Sequence, residues 1–413
     1  MSKWEWKKLG EVAKIYNGNS INANVKKERY SNVESGFPFI ATKDVGNDSE
    51  VDYENGIRIP FEEAGFKVAR KDTVLICAEG GSAGKKKCIL NEDVCFGNKL
   101  FAIDYNREKL IGKFVFYYTF EQSFTDEFQK LLSGIIGGVS SAKFKEIQIP
   151  IPPLSEQNRI VKFLDEEFSK IDTLKTNAET NLKNAKELFE TTLEKELNSQ
   201  SRHSERSEES SAELPSGWEW KTLGDVCEIL SDLINPTEEK YLNMYHVGGA
   251  NIESETGRII DLKTSEEEGL TSGKFVFDDS VVLYNKIRPY LKKVARPNFA
   301  GICSADMYPL SPKNGMLKDF LYYILIASDF TDYAIKHSDR AGMPKLNRKA
   351  LFVYEFPLPP LSVQKEIVAR LDKLSENVKR LEANYKQIIA NCDELKKSIL
   401  KKTFEGDSRS SRE

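Results

Sequence analysis

The sequence predicts an α/β protein built as two copies of one plan. Two mixed α/β domains are each followed by a long helix, and the two helices pack antiparallel as a coiled coil, giving a pseudo-two-fold symmetric molecule. Three observations carry this reading. PIPPLSEQNRIVKFLD at Pro150–Asp165 returns as PLPPLSVQKEIVARLD at Pro357–Asp372, 207 residues on and identical at ten of sixteen positions. WEWKKLGEV at Trp4–Val12 returns as WEWKTLGDV at Trp218–Val226, 214 residues on. After each proline-rich segment the apolar period changes from strand-like to helical. The chain divides into a first domain at 1–150, a first helix at 151–199, a linker at 200–216, a second domain at 217–357, a second helix at 358–404 and a tail at 405–413.

Each domain opens with the Trp motif and continues through short β-branched runs broken by Gly, Pro and Asn, the pattern of strands joined by exposed loops. Asp72–Ile103 and Asp279–Leu310 share a layout: a strand (Thr73–Ile76, Val281–Leu283), a loop ending in lysines, then a second apolar run around Cys95 or Cys303. Helical stretches follow at Lys113–Leu132 and Lys318–His337. Pro152 and Pro153 continue neither a strand ladder nor a helix, and Ser155, repeated by Ser362, reads as an N-cap. The second long helix carries Ile367, Leu371, Leu374, Val378, Leu381, Tyr385, Ile388, Cys392, Leu395 and Ile399 in a 4,3 spacing over four heptads, a coiled-coil seam. The first is looser, with Ile160, Leu164, Ile171, Leu174, Ala178, Ala185 and Leu188 on its seam. Asn198–Gly217 reads by composition as a flexible linker.

With 413 residues, 40% of them apolar, there is material for more than one core. No apolar run reaches the length of a membrane span, and the start lacks a signal-peptide core, so a cytoplasmic location is expected. The six cysteines form no CxxC pair, which fits reduced thiols better than a disulfide framework or a zinc site. A net charge of −4 means that any nucleic-acid contact must rest on local basic loops.

Three such loops stand out. Lys85, Lys86 and Lys87 follow EGGSAG at Glu79–Gly84. This is not a nucleotide-binding P-loop, because three residues separate Gly80 from the Gly84-Lys85 pair and Lys86 stands where Ser or Thr is required. Glycines that admit a close backbone and lysines that neutralise phosphate suit DNA; a solvated surface loop is the other reading. YNKIRPYLKKVAR at Tyr284–Arg296 gathers Lys286, Arg288, Lys292, Lys293 and Arg296 with Tyr284 and Tyr290. Arg288 is the leading base reader, since Arg pairs bidentately with guanine, while the lysines suit phosphate. Pro289 leaves open that Arg288 only braces a turn, and an amphipathic strand with a basic face remains the alternative for the whole segment. SDRAGMPKLNRK at Ser338–Lys349 supplies Arg340, Lys345 and Asn347. Asn347 suits adenine, and a turn or capping role is equally open. Ser140, Ser141 and Lys143 occupy the corresponding stretch of the first domain.

The Trp-x-Trp-x-x-Leu-Gly opening, the PLPPLSVQ helix start and the duplicated layout resemble the specificity subunits of type I restriction–modification systems, over Trp4 to about Phe404. IRPYLKKVA at Ile287–Ala295 and GMPKLNRKAL at Gly342–Leu351 also look like segments of that family; the first domain departs from both, with GVSSAKFKEI at Gly138–Ile147 in place of the latter. The resemblance implies that each domain is a target recognition domain binding one half of a bipartite, asymmetric site in double-stranded DNA. It implies that the helices space the halves and dock two methyltransferase subunits, with restriction/translocase subunits joining them. It implies no cofactor on this chain, with S-adenosylmethionine, ATP and Mg2+ on the partners. The residues agree with a non-catalytic role. There is no Asn/Asp-Pro-Pro-Tyr-like motif, since Asn235-Pro236-Thr237 fails at its third position, and no GxGxxG follows a strand. Three histidines leave little for metal or acid–base chemistry. A coiled-coil scaffold for protein binding is the competing class, and it leaves the diverged basic loops unexplained.

Overall fold

The computed structural model describes residues 4–134, 137–197, 214–339 and 342–405. Most of the expected linker, the tail after Glu405 and Arg340 lie outside the described residues. Two compact units divide the chain: Met1–Ala178 with Gln387–Glu413, and Glu179–Lys386. Each unit thus holds one α/β domain and a portion of each long helix.

In the first unit the Trp motif forms the strand Glu5–Lys8, antiparallel to Gln148–Ile151, the strand that leads into the first long helix. A four-stranded antiparallel sheet follows in the order Ala13–Asn17, Leu100–Tyr105, Val74–Cys77, Lys87–Ile89. A second sheet runs Arg58–Ile59, Phe37–Ile40, Val94–Phe96, Val68–Ala69, with Phe37–Ile40 and Val94–Phe96 parallel. The four residues of Val74–Cys77 are all buried, as a strand covered on both faces must be. The expected helix at Lys113–Leu132 is two helices, Gly112–Tyr118 and Gln122–Leu131. Polar side chains break it: Thr119 Oγ1 donates back to Phe116 O at 2.6 Å, and Glu121 caps the second helix by accepting from Ser123 N at 2.6 Å. The end of the second long helix joins this core. Phe404 is buried, its ring 5.5 Å from Phe114 and 5.4 Å from Tyr118; burial of such a side chain contributes ~2 kcal/mol.

The second unit repeats the plan. Glu219–Thr222 pairs antiparallel with Glu355–Leu358. One sheet runs Cys227–Ile229, Met307–Pro312, Val282–Asn285, Val294–Ala295. The other runs Leu233–Ile234, Lys274–Phe277, Gly301–Ser304, Tyr245–Val247, Lys263–Thr264, again with one parallel pair, Tyr245–Val247 with Gly301–Ser304. The expected helix at Lys318–His337 divides at Ala327, whose ψ of 146° is extended. Leu193 and Leu197 of the first long helix and Ile367 and Leu371 of the second lie in this unit's core.

The repeated helix start now has a physical account. The long helices span Leu154–Leu197 and Leu361–Glu405. Ser155 does not cap the first: it sits inside the first turn, and the Pro153 carbonyl accepts from Glu156 N and Gln157 N. The side chain that matters is the glutamine two residues on. Gln157 is fully buried; its Oε1 accepts from Ile111 N at 2.9 Å and its Nε2 donates to Lys109 O at 2.7 Å and Pro152 O at 2.8 Å. Gln364 does the same with Leu317 N at 2.9 Å, Gly315 O at 2.8 Å and Pro359 O at 2.9 Å. Each amide ties the loop before the domain's helices to the root of its long helix and satisfies three backbone groups that burial would otherwise orphan. The last residue of the repeat acts alike: Asp165 accepts from the Tyr117 hydroxyl at 2.5 Å, and Asp372 from that of Tyr323 at 2.7 Å.

Within the first unit the helices run antiparallel, with Lys175 to Asp393 at 2.8 Å and Lys396 to Asp172 at 2.5 Å. In the second unit Arg370 donates two bonds to Glu196. The seam is only partly covered. Leu371, Val378 and Cys392 are buried, whereas Leu381 and Leu395 are exposed, as are Leu174 and Leu188 of the first helix. Two helices leave one flank of a 4,3 stripe open where a third or fourth helix would close it.

Candidate nucleic-acid interface

In each unit the strand that ends at Cys77 or Asn285 feeds a loop, and backbone hydrogen bonds hold that loop beside a second one. Gly80 N donates to Gly137 O at 2.8 Å and Val139 N to Ala78 O at 3.0 Å. In the second unit Arg288 N donates to Pro344 O at 2.8 Å and Leu346 N to Lys286 O at 3.0 Å. The second loop then enters a short helix through a side-chain cap. Ser140 Oγ accepts from Lys143 N at 3.3 Å ahead of Ser141–Phe144, and Asn347 Oδ1 from Ala350 N at 2.8 Å ahead of Arg348–Phe352. In each unit a third turn meets the first loop: Ala78 N donates to Lys99 O at 2.8 Å, and Lys286 N to Asp306 O at 3.2 Å. The structure thus brings the predicted segments of each domain together as one loop cluster per unit, on a shared backbone frame.

The side chains on that frame divide into braces and free groups. Lys86 Nζ donates to Thr42 O at 3.2 Å, and Lys293 Nζ donates to Gly249 O, the residue 207 positions after Thr42. The same lysine thus holds the same neighbouring loop in both units. Lys87 is 3% exposed, with its ammonium bonded to Thr119 O and 4.3 Å from the Phe120 ring centroid. Burial holds its pKa down to about 7. It faces the core, where phosphate does not reach. Lys286 is also buried, bonded to Ala305 O, 3.8 Å from Asp306 and 5.0 Å from the Tyr308 ring; burial lowers its pKa, and Lys345 nearby adds to this. Lys292 donates to Glu190 Oε1 at 3.3 Å and Ser328 Oγ at 3.2 Å. Arg296 is bound to Asp319 at 2.9 Å and Asp372 at 2.5 Å, 4.6 Å from the Tyr322 ring, and fastens the second domain to its long helix. Asn347 caps a helix, the capping role that the sequence left open beside a base contact.

Exposed on the clusters are Lys85, Ser140 and Lys143 in the first unit and Arg288 and Tyr290 in the second, with Ser141 and Lys345 half-buried. Arg288 is unusual. Its φ of 53° and ψ of 64° are left-handed, a conformation costing a non-glycine residue ~1–2 kcal/mol. The residue on the corresponding hydrogen bond of the first unit is Gly80, with φ 82°. The frame requires a left-handed residue there; the first unit uses the residue that adopts it freely, and the second carries an arginine. No side-chain partner of Arg288 among the described residues offsets that strain.

Sequence reasoning missed the residues that position these clusters, namely Gln157, Gln364, Asp165, Asp372 and Glu190. The first four were among the ten identical positions of the repeat, so the signal was present. Glu190 carries no such mark. Among the described residues no cluster of His, Cys, Asp and Glu suited to a metal ion exists, and no helix is long and apolar enough to cross a membrane.

Comparison with known proteins agrees with this architecture. Residues 1–184 and 215–390 match the family described as Type I restriction modification DNA specificity domain. The chain is 31% identical over 281 residues to the EcoDI specificity subunit of Escherichia coli, a match covering 63% of this chain and 62% of that subunit. It is 23% identical to the MjaVIII specificity subunit of Methanocaldococcus jannaschii, covering 98% and 93% of the two chains. The chain spans about two thirds of the Salmonella potsdam StySPI specificity subunit, at 24% identity. Among solved structures, a chain of a type I R-M system superposes with a TM-score of 0.77 at 20% identity, covering 98% and 99% of the two chains. The HsdS subunit of Thermoanaerobacter tengcongensis gives 0.59 at 21%, covering 98% and 97%; at these identities the likeness shows the fold. Two matched segments and a shared two-domain, two-helix fold place this chain in the type I restriction–modification DNA specificity family.

Proposed function

We propose that the chain is the non-catalytic DNA-recognition subunit of a type I restriction–modification complex, acting in the cytoplasm. Each loop cluster reads one half of a bipartite, asymmetric duplex site. The observation that carries this is the pairing of an invariant frame with changed side chains. The two clusters share their backbone hydrogen bonds and the Lys86/Lys293 brace, yet differ at the exposed positions, with Gly80 facing Arg288 in the comparison. A scaffold protein would have no use for that combination. Arg288 is the leading base reader, paired to guanine, because no side-chain partner among the described residues offsets its strain. Lys85, Ser140, Ser141, Lys143, Tyr290 and Lys345 supply the remaining contacts, mostly to phosphate and sugar.

The long helices set the spacer between the half-sites and dock two methyltransferase subunits, which bring S-adenosylmethionine; restriction/translocase subunits bring ATP and Mg2+. The exposed leucines support two equal docking positions. Leu174 and Leu381, and likewise Leu188 and Leu395, are each 207 residues apart, so the uncovered seam is duplicated with the domains. The test is a segment exchange: replace residues 1–149 by the corresponding segment of a related subunit and map methylated adenines across a genome. One half of the bipartite sequence changes; a change in both halves refutes modular reading.

A further inference from the structure

The second reading turn contains a connection that the first lacks. Lys292 lies at the end of the turn Pro289–Leu291 and is itself left-handed, with φ 45° and ψ 43°. Its N–H closes the turn on Pro289 O at 2.9 Å, and Leu291 N closes on Arg288 O at 2.9 Å, so Arg288 and Lys292 bracket one small rigid unit. The Lys292 side chain is only 17% exposed. Its ammonium reaches Glu190 Oε1 of the first long helix at 3.3 Å and Ser328 Oγ, at the start of the helix Ser328–Lys336, at 3.2 Å. Lys293, the next residue, is committed to Gly249 O.

Resting on the recognition role above, we propose that Lys292 is a positioning residue: it pins the turn Arg288–Lys293 to the long helix through Glu190 and so fixes the direction in which Arg288 projects, making no phosphate contact of its own. Two further observations favour this over a phosphate role. A lysine whose charge is already met by a carboxylate within 4 Å adds little attraction for a polyanion, and Glu190, half exposed beside it, repels one. The pin is also specific to this half. In the first unit Lys85, which precedes the bracing Lys86, is exposed, and the residue 207 positions after Glu190 is Lys397, which offers no counter-charge.

The discriminating measurement is the salt dependence of DNA binding, read together with half-site choice. The full-length chain, assembled with its methyltransferase partner, is titrated against a duplex carrying its mapped site and against duplexes mutated in either half, over a series of KCl concentrations. The variants are Lys292→Met, Glu190→Gln and the charge reversal Lys292→Glu with Glu190→Lys. Loss of one phosphate contact lowers the slope of log K against log salt by about 0.9. The expected result is an unchanged slope in Lys292→Met and Glu190→Gln. Both lose discrimination at the second half-site, by roughly three- to fivefold, as the loss of a partly buried ion pair allows. Both keep discrimination at the first half-site, and the reversed pair restores the second. A slope that falls by about one in Lys292→Met, with Glu190→Gln indistinguishable from wild type, overturns the proposal and makes Lys292 a phosphate contact. Wild-type slope and discrimination in both single variants overturn it also. A wild-type complex that prefers no sequence refutes the recognition role itself, and the pin with it.

Discussion

Replacing Arg288 by glycine separates folding from reading in one residue. At φ 53° the backbone carries ~1–2 kcal/mol of strain that glycine does not have. Glycine loses more chain entropy on folding, which costs about 0.5–1 kcal/mol. The net effect is neutral to about 1.5 kcal/mol stabilising, because the exposed side chain gives up no internal partner among the described residues. For a body of about 200 residues this leaves the unfolding midpoint of the second unit unchanged or raised by up to roughly 5 °C. The same change removes a bidentate contact worth about 1–3 kcal/mol, hence about 5- to 150-fold less discrimination at one base pair of one half-site. Arg288→Ala is the control: it keeps the Cβ and therefore the strain, so it loses the same discrimination without the gain in stability. Differential scanning fluorimetry and genome-wide methylation mapping read the two quantities separately. If Arg288→Gly lowers stability by more than about 1 kcal/mol and leaves the methylated sequence intact, Arg288 is a brace for the turn and the strain argument fails.

Gln157→Glu places a carboxylate against the Lys109 and Pro152 carbonyl oxygens, 2.7 and 2.8 Å from the present amide nitrogen, and should cost the first unit about 2–4 kcal/mol. Ionisation is what is penalised, so thermal melts should show a larger loss at pH 8 than at pH 4; equal losses would point to packing instead. Lys87, with its pKa held to about 7 against ~10.4 in an unfolded chain, penalises folding fully below pH 7 and progressively less as pH rises toward 10. Denaturant titrations should therefore show wild type gaining stability between pH 7 and 9.5 where Lys87→Met gains none from this site; parallel profiles would mean that Lys87 stays charged when folded. Leu174→Asp with Leu395→Asp should reduce the methyltransferase complement from two to one by mass photometry, and a complex still holding two would place docking elsewhere.

The duplication, the two α/β domains, the long helices and the strand runs were legible in the sequence because each rests on local chemistry. Period, proline and glycine leave their mark within a few residues, and a repeat of ten identities in sixteen needs no structure to be seen. The loops that would gather at the candidate interface were legible for the same reason. What the basic residues do inside those loops was not. Lys85, Lys86 and Lys87 are one triplet in sequence, yet they point to solvent, to a neighbouring loop and to the core. Lys292 and Lys293 are adjacent, yet one holds a helix carboxylate and the other a backbone carbonyl. Sequence likewise marked Ser155 as the important polar residue of the helix start, whereas Gln157 does the joining, because its partners at Lys109 and Ile111 come from 48 and 46 residues away. A lysine or an amide carries the same local signal wherever it points. Its direction follows from which carbonyls and carboxylates the fold leaves unpaired nearby, and only the packed chain decides that.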